Sequence, residues 1–205
     1  MSANKTRLLL ATTNTQKLKE LQDHLTDLPV HCVGLRDFPE VTEVGETGRT
    51  FEENARIKAL GYARQTGMLT LGEDSGICCD ALDGAPGVFS ARFGGESRSD
   101  DANNRKLLEA MKNIPDEKRA AYYESAIALA GPGKLLGVVQ GQVHGRITRE
   151  LHGNGGFGYD PLFFYPAFGK TFGQVSMEMK QSVSHRGKAM GAARTLLERY
   201  LRAHN

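Results

Sequence analysis

The first part of the chain alternates short apolar runs with apolar residues at helical spacing. Residues 7–12 form an apolar run that ends in polar side chains, which predicts a buried strand. Leucines then recur at steps of three and four positions, as on one face of a helix. They are Leu18, Leu21, Leu25 and Leu28. Asn14 or Thr13 is a natural N-cap for this helix, and residues 30–35 form the next short strand.

A second helix is predicted to begin at residue 51. Thr50 and Glu53 fit a capping box, in which Thr50 caps the helix and Glu53 reaches back to it. Phe51, Ala55 and Ala59 give this helix one apolar face. The apolar residues 68–71 then predict a strand that is broken by the polar residues 73–76.

The second half of the chain favours long strands. A helix over residues 100–111 is followed by strand-like stretches at 120–130 and 135–148, which a Gly-Pro-Gly turn separates. A short apolar run at 161–165 and a C-terminal helix close the chain. Helices alternate with strands early and a hairpin comes late, so the pattern predicts a mixed α/β fold. The sequence contains neither an internal repeat nor a Pro/Ser-rich linker, and we interpret residues 1–205 as a single domain.

Composition excludes several classes of function. The net charge is +2 with no run of like charges, whereas a protein that binds nucleic acid through its charge usually carries a dense basic patch. No stretch approaches the roughly 20 apolar residues of a membrane span. Cys32, Cys78 and Cys79 have no C-x-x-C spacing, so we interpret them as reduced thiols and predict a cytoplasmic protein.

The segment Thr12-Thr13-Asn14-Thr15-Gln16-Lys17 lies between the first strand and the first helix. Backbone N–H groups at a helix N-terminus form a ready anion site. Lys17 stands in the first helical turn, where a helix alone prefers an acid, and this favours a bound phosphate. A capped helix whose lysine faces water is the structural alternative.

The segment Glu73-Asp74-Ser75-Gly76 offers oxygen ligands for a hard cation. Mg²⁺ takes one or two carboxylates together with substrate phosphates, which suits so small a cluster. Glu46, in an earlier Gly- and Glu-rich loop, could supply another oxygen. A solvated acidic turn is the alternative interpretation.

The segment at 153–160 matches G-x-G-x-x-G, but we reject a dinucleotide fingerprint. That motif must open a helix, and here Pro161 and a β-like run follow. The glycines allow the backbone to close on a flat group, on which Phe157 or Tyr159 would stack. A plain glycine-rich turn is the alternative.

Cationic residues cluster near residue 185. Ser184 can cap the last helix, which places His185 and Arg186 in its first turn, and Lys180 precedes them. All three are hydrogen-bond donors suited to a base carbonyl or to phosphate oxygens. A basic patch on a surface helix is the alternative.

These segments, in this order, resemble the inosine triphosphate pyrophosphatase family over nearly the whole chain. The match includes T-x-N-x-x-K at residue 12, E-T-G-x-T-F-x-E-N-A at residue 46 and D-S-G at residue 74. It continues with L-x-G-A-P-G-V-x-S-A-R-F, G-x-G-G-F-G-Y-D-P-x-F and S-H-R-G. The resemblance implies an elongated, two-lobed α/β fold with a central mixed sheet flanked by helices, an active site in the cleft between the lobes, and a homodimer.

The resemblance also implies Mg²⁺-dependent hydrolysis of noncanonical purine nucleoside triphosphates (ITP, dITP, XTP) to the monophosphate and pyrophosphate. Asp74 would be the proton acceptor, and Glu46 and Asp74 would hold Mg²⁺. The remaining roles are in substrate binding. They fall to Thr12, Thr13, Asn14, Thr15, Gln16, Lys17, Ser75, Phe157, Gly158, Tyr159, Asp160, Lys180, His185 and Arg186.

The chain departs from the family pattern at Thr13, at Glu73, where Asp is frequent, and at Met177-Glu178-Met179, where a more acidic run is common. A pyrophosphatase for other modified nucleotides, or a non-catalytic nucleotide-binding protein, would share many of these features. Neither nucleic acid nor a membrane is an expected partner.

Overall fold

The computed structural model describes residues 5–204, which form seven strands and five α-helices. The strands are β1 (Thr6–Leu10), β2 (Val30–Gly34), β3 (Leu69–Cys79), β4 (Ala120–Gly131), β5 (Lys134–Ile147), β6 (Phe163–Tyr165) and β7 (Lys170–Thr171). The helices are α1 (Thr15–Asp23), α2 (Phe51–Thr66), α3 (Asp100–Ala110), α4 (Met177–Val183) and α5 (His185–His204). None of these helices is long and apolar enough to cross a membrane.

All seven strands belong to one mixed sheet in the order β2-β1-β3-β4-β5-β6-β7. β1 lies parallel to both β2 and β3, whereas β6 is antiparallel to β5 and to β7. The α-helices between and after the strands complete a mixed α/β fold. This confirms the predicted fold class.

The chain divides into two compact units. The first contains residues up to Asp74, Ser125–Gly141 and residues from Gly187 on. Its main core joins β1, β3, β4 and one face of α5, through buried residues such as Leu8, Leu71, Ile127 and Leu197. The second contains Ser75–Glu124 and Gln142–Arg186. Its core is aromatic, with Tyr123, Phe163 and Phe172 in mutual contact.

The predicted start of each early helix is confirmed, but two details differ. Asn14 accepts a hydrogen bond from the Lys17 backbone N–H, and Thr50 accepts one from that of Glu53. The Glu53 carboxylate, however, accepts from the Arg49 N–H rather than reaching back to Thr50. Helix α1 also ends at Asp23, before Leu25 and Leu28, because tight turns rather than a further helical turn bury these two leucines.

The predicted break at residues 73–76 is wrong. Strand β3 runs without interruption from Leu69 to Cys79, so Glu73 and Asp74 are strand residues with buried side chains. β3 lies between β1 and β4 in the sheet, and strand pairing outweighs the low strand propensity of acids and glycine. The two carboxylates are therefore held by the sheet itself and not by a solvated turn.

Helix α2 lies directly on β3 at Gly72. A Cβ atom added to Gly72 would come within 2.6 Å of both the Ala55 carbonyl oxygen and the Ala59 nitrogen. Only glycine permits this approach of helix backbone to strand backbone. The contact fixes α2 against the strand residues that immediately precede Glu73 and Asp74.

Replacing Gly72 with alanine is therefore expected to lower the free energy of unfolding by about 1–3 kcal/mol, because the added methyl group must push α2 away from β3. Urea denaturation followed by circular dichroism measures this loss. Gly191→Ala is the matched control, since Gly191 is an exposed position of α5 at which an added Cβ meets nothing within 4 Å. The control should be neutral or slightly stabilising. Equal stability of the two variants would contradict the proposed helix–strand constraint.

Candidate active site

A buried lysine lies between the two predicted metal-binding carboxylates in the first unit. The ammonium nitrogen of Lys58, on α2, lies 2.7 Å from Glu46 Oε1 and 3.6 Å from Asp74 Oδ1. Burial alone would lower the pKa of Lys58, but the carboxylates of Asp74, Glu46 and Glu73 outweigh it and raise that pKa. The lysine is thus held in its charged form between the two acids.

Asn54 lies one helical turn before Lys58 on α2 and fixes the positions of the same two acids. Its side-chain NH₂ donates to Asp74 Oδ2 at 3.0 Å, and its carbonyl oxygen accepts from the Gly48 N–H at 2.8 Å. One buried amide therefore orients the Asp74 carboxylate and also fixes the loop that carries Glu46. Burial raises the pKa of Asp74, while Lys58 and Lys17 oppose that rise.

Lys17 is directed into this acidic group. Its ammonium donates to Glu73 Oε2 at 2.9 Å, and Ser125 Oγ donates to the other Glu73 oxygen at 3.0 Å. The alternative in which Lys17 faces only water is wrong, since 17% of its side chain is exposed. Glu73, at which the chain departs from the family pattern, is thus the acid that orients the predicted phosphate-binding lysine.

The other residues of the predicted phosphate segment lie at the start of α1. Thr12 Oγ accepts from the Asn14 N–H at 3.2 Å, and Asn14 caps the helix. Thr13, Thr15 and Gln16 are exposed. The first turn of α1 and these exposed polar side chains therefore lie in the same unit as the Lys17 ammonium.

Glu46 and Asp74 fit a magnesium ion by their chemistry. Within residues 5–204 no three His, Cys, Asp or Glu side chains come together as a complete metal site. Mg²⁺ needs fewer protein ligands, because waters and substrate phosphates usually complete its octahedron. The two carboxylates already converge on one cationic nitrogen, that of Lys58, which shows that both can reach a single positive charge.

In the second unit an aromatic ring lies beneath two cations. The Lys180 ammonium is 4.4 Å and the Arg186 guanidinium carbon 5.6 Å from the centre of the Phe157 ring. Arg186 also donates to Ser75 Oγ at 2.9 Å. Four residues predicted from three separate motifs therefore come together, and Phe157 is only half-buried.

Asp160 holds this group together. Its Oδ2 accepts from the Lys180 ammonium at 2.6 Å and from the Phe157 N–H at 2.9 Å. The Tyr123 hydroxyl lies 3.4 Å from Asp160 Oδ1, and burial raises the pKa of Tyr123 well above its ordinary value. The Tyr123 ring also stacks on His185, with the ring centres 4.6 Å apart. Lys180, His185 and Phe157 are thus connected through two buried partners.

Tyr159 does not offer a stacking surface. Its ring lies in the core of the second unit and its hydroxyl donates to the Ser90 carbonyl at 2.8 Å. Of the two aromatic candidates, Phe157 is the accessible one. Gly158, between them, has a φ of 63°, in the left-handed region that favours glycine.

The sequence patterns did not reveal Asn54, Lys58, Tyr123 and Ser125. Lys58 follows Asn54 by four residues on a helix face that is otherwise apolar, and this polar pair at helical spacing was the available signal. Helix α4 was also missed, because Ser176 caps a helix of only seven residues whose exposed methionines show no apolar face.

Comparison with known proteins decides the family. The family model described as "Ham1 family" matches residues 8–196. The chain belongs to the Ham1 family. A dITP/XTP pyrophosphatase of Desulforamulus reducens is 48% identical over 94% of this chain and 96% of that protein. One from Geobacter sulfurreducens is 49% identical over 90% and 93%.

Solved Ham1 structures share the fold of this family member. The HAM1 protein from Coxiella burnetii is 38% identical and superposes with a TM-score of 0.87, covering 95% of this chain and 99% of that one. The Staphylococcus aureus Ham1 protein is 36% identical with a TM-score of 0.84, covering 98% and 100%. The resemblance inferred from the motifs is thereby confirmed.

Removing the Lys58 charge is expected to raise the pKa of Asp74 further, since that ammonium opposes the effect of burial. The variant is Lys58→Gln, and the measurement is a ¹³C NMR titration of the Asp74 carboxyl in metal-free protein. Arg56→Gln is the control, because Arg56 is an exposed charge on the same helix that pairs with Glu52. A midpoint that stays unchanged in Lys58→Gln would contradict the assigned interaction.

Proposed function

We propose that this Ham1-family protein hydrolyses noncanonical purine nucleoside triphosphates, with ITP, dITP and XTP as substrates, to the nucleoside monophosphate and pyrophosphate. The observation that carries the proposal is the pair Glu46 and Asp74, which converge on Lys58 while Asn54 orients Asp74. The identity to named dITP/XTP pyrophosphatases over nine-tenths of the chain supports it.

The first unit supplies groups for the triphosphate. Lys17, the first turn of α1 and the polar residues 12–16 bind phosphate oxygens, because helix N–H groups and an ammonium both favour anions. Glu73 and Ser125 hold the Lys17 side chain in one direction, so little entropy is lost when phosphate binds. The same lysine stabilises the negative charge of the leaving pyrophosphate.

Asp74 is the proton acceptor for the attacking water. A carboxylate whose pKa is raised by burial is a stronger base than an exposed one. Asn54 donates a hydrogen bond to Asp74 Oδ2, and the Lys58 ammonium lies beside Asp74 Oδ1. These contacts fix the plane of the carboxylate and leave it oriented before substrate arrives.

Magnesium is the cofactor that we propose for this reaction. Glu46 and Asp74 would hold the ion, together with oxygens of the substrate. When bound, Mg²⁺ supplies positive charge that neutralises the phosphate oxygens during attack at the α-phosphorus.

The second unit supplies groups that read the base. Phe157 offers a face for stacking, and Arg186, Lys180 and His185 are donors suited to the 6-oxo acceptor of hypoxanthine and xanthine. Adenine has a 6-amino group at that position, so a hydrogen-bond donor of the base would face the donors of the protein. A buried polar group left without a partner in this way costs about 1–3 kcal/mol. Ser75, Gly158 and Asp160 hold or flank these groups. We propose further that the enzyme works as a cytoplasmic homodimer.

The proposal is tested by initial rates of pyrophosphate release from dITP, ITP and XTP beside ATP and GTP, with Mg²⁺ present. We expect kcat/KM for the first three to exceed that for ATP at least about 10²-fold. A site that hydrogen-bonds the base can discriminate this strongly against a base that leaves its donors unpaired. Comparable kcat/KM for ATP would show that the second unit does not select the base.

Asp74→Asn is expected to lower kcat by roughly 10²–10⁴-fold, because the amide keeps the shape of the side chain but cannot accept the proton. In the parent enzyme kcat should fall as pH falls through the raised pKa of Asp74, since only the ionised form is a base. Asp23→Asn, at the exposed end of α1, is the charge-matched control. Near-normal turnover by Asp74→Asn would refute the assignment.

A further inference from the structure

Two polar residues one turn apart on α3 bind the peptide groups on either side of Gly158. Asp100 Oδ2 accepts from the Gly158 N–H at 2.7 Å, and the Asn104 side-chain NH₂ donates to the Gly158 carbonyl at 2.9 Å. Both contacts lie within the second unit. Neither residue was singled out by the sequence motifs, and we call this arrangement the Gly158 clamp.

The clamp acts on the residue that follows Phe157. The Phe157 N–H is bound by Asp160 and the Gly158 N–H by Asp100, so two successive backbone donors are directed at two different carboxylates. Gly158 needs a left-handed φ of 63°, in which the clamp holds both of its polar groups. The direction of the Phe157 side chain is therefore fixed on its carboxyl-terminal side by α3.

The asparagine at position 104 contributes little to the stability of the folded protein. Its side chain is 6% exposed, and within residues 5–204 its Oδ1 atom is buried with no hydrogen-bond partner. A buried acceptor without a partner lowers stability, which offsets what the other end of the amide gains. Residues that cost stability are common where function needs them.

The neighbouring Asn103 shows the contrast. Its side chain accepts from the Gly94 N–H at 2.6 Å and donates to the Ala91 carbonyl at 3.2 Å, so both of its ends are used. Asn103 fastens α3 to the segment before it, whereas Asn104 fastens α3 to the Phe157 loop. The two consecutive asparagines therefore hold α3 to two different segments of the chain.

We propose that Asp100 and Asn104 are positioning residues that hold Phe157 in the orientation that stacks on the purine base. The inference rests on the proposed function, because it assigns the clamp to the base-binding part of the same reaction. Asp100 and Asn104 belong to the second unit, whereas the proposed phosphate-binding groups and proton acceptor belong to the first. Their loss is therefore expected to weaken base binding and to spare the chemical step.

The kinetic test uses Asp100→Ala and Asn104→Leu with dITP as substrate. Each variant is expected to raise KM roughly tenfold, the equivalent of one lost hydrogen bond, with kcat within about threefold of the parent. Asp100→Asn should restore most of the affinity, because its side-chain oxygen still accepts the Gly158 N–H. Asn104→Leu should keep or raise Tm.

Asp101→Ala is the matched control for the loss of charge. Asp101 lies in the same first turn of α3 and is exposed like Asp100, but among the ion pairs of residues 5–204 it pairs only with exposed Arg105. It should leave KM unchanged. A KM for Asp100→Ala equal to that of Asp101→Ala, or a fall in kcat that parallels a fall in Tm, would overturn the proposal.

A second readout needs no turnover. The chain has no tryptophan, so Phe157→Trp introduces a single tryptophan at the stacking position, and its emission can be excited apart from that of the tyrosines. Adding Asp100→Ala or Asn104→Leu should shift its emission to the red and increase quenching by acrylamide, while Asp101→Ala should do neither. If Phe157→Trp has the same emission with and without Asp100→Ala or Asn104→Leu, the proposed role of the Gly158 clamp is wrong.

The two readouts separate failure of the inference from failure of the proposed function. If the parent protein does not hydrolyse dITP, ITP or XTP, the proposed function is wrong and the assignment to base binding fails with it. If the parent is active and the clamp variants match the Asp101→Ala control in KM and in emission, only the inference is wrong.

Discussion

The positive charge of Lys58 is the constraint on which the chemistry of the first unit depends. Glu46 and Asp74 carry like charges that repel each other, and burial further disfavours the ionised form of Asp74. The ammonium between them offsets that repulsion at distances of 2.7 and 3.6 Å. Removal of the buried Lys58 charge would therefore leave the buried Asp74 carboxylate less well compensated.

The backbone explains how the lysine reaches this position. Gly72 lets α2 lie directly on β3, and Asn54 and Lys58 project from that helix toward the strand's acids. Uninterrupted strand pairing holds Glu73 and Asp74 in the sheet. Helix α2 and strand β3 therefore set the distances between Lys58, Asn54 and Asp74. The loop that carries Glu46 is held to α2 by the hydrogen bond between Gly48 and Asn54.

The second unit meets a different physical constraint, because the charged side chains of Lys180 and Arg186 are buried there. Asp160 neutralises Lys180, the Phe157 ring lies under Lys180 and Arg186, and Tyr123 stacks on His185. Each of these contacts fixes the position of a side chain that can donate hydrogen bonds.

The sequence predicted local features better than long-range ones. Helix N-caps at Asn14 and Thr50 depend on neighbouring residues, so their patterns were sufficient. The course of β3 through residues 73–76 depends on its partner strands, and the burial of Tyr159 depends on a distant carbonyl of Ser90. No local pattern contains that information. Lys58 was overlooked because a lysine on a helix is usually solvated, and only the fold places two acids against it.

The most direct test of the central claim is hydrolysis of dITP in ¹⁸O-labelled water, with mass analysis of both products. Attack by a water activated by Asp74 at the α-phosphorus predicts that the label enters the nucleoside monophosphate and that the pyrophosphate is unlabelled. Label in pyrophosphate or in orthophosphate would place the attack at another phosphorus. That result would contradict the roles given to Asp74 and Lys17.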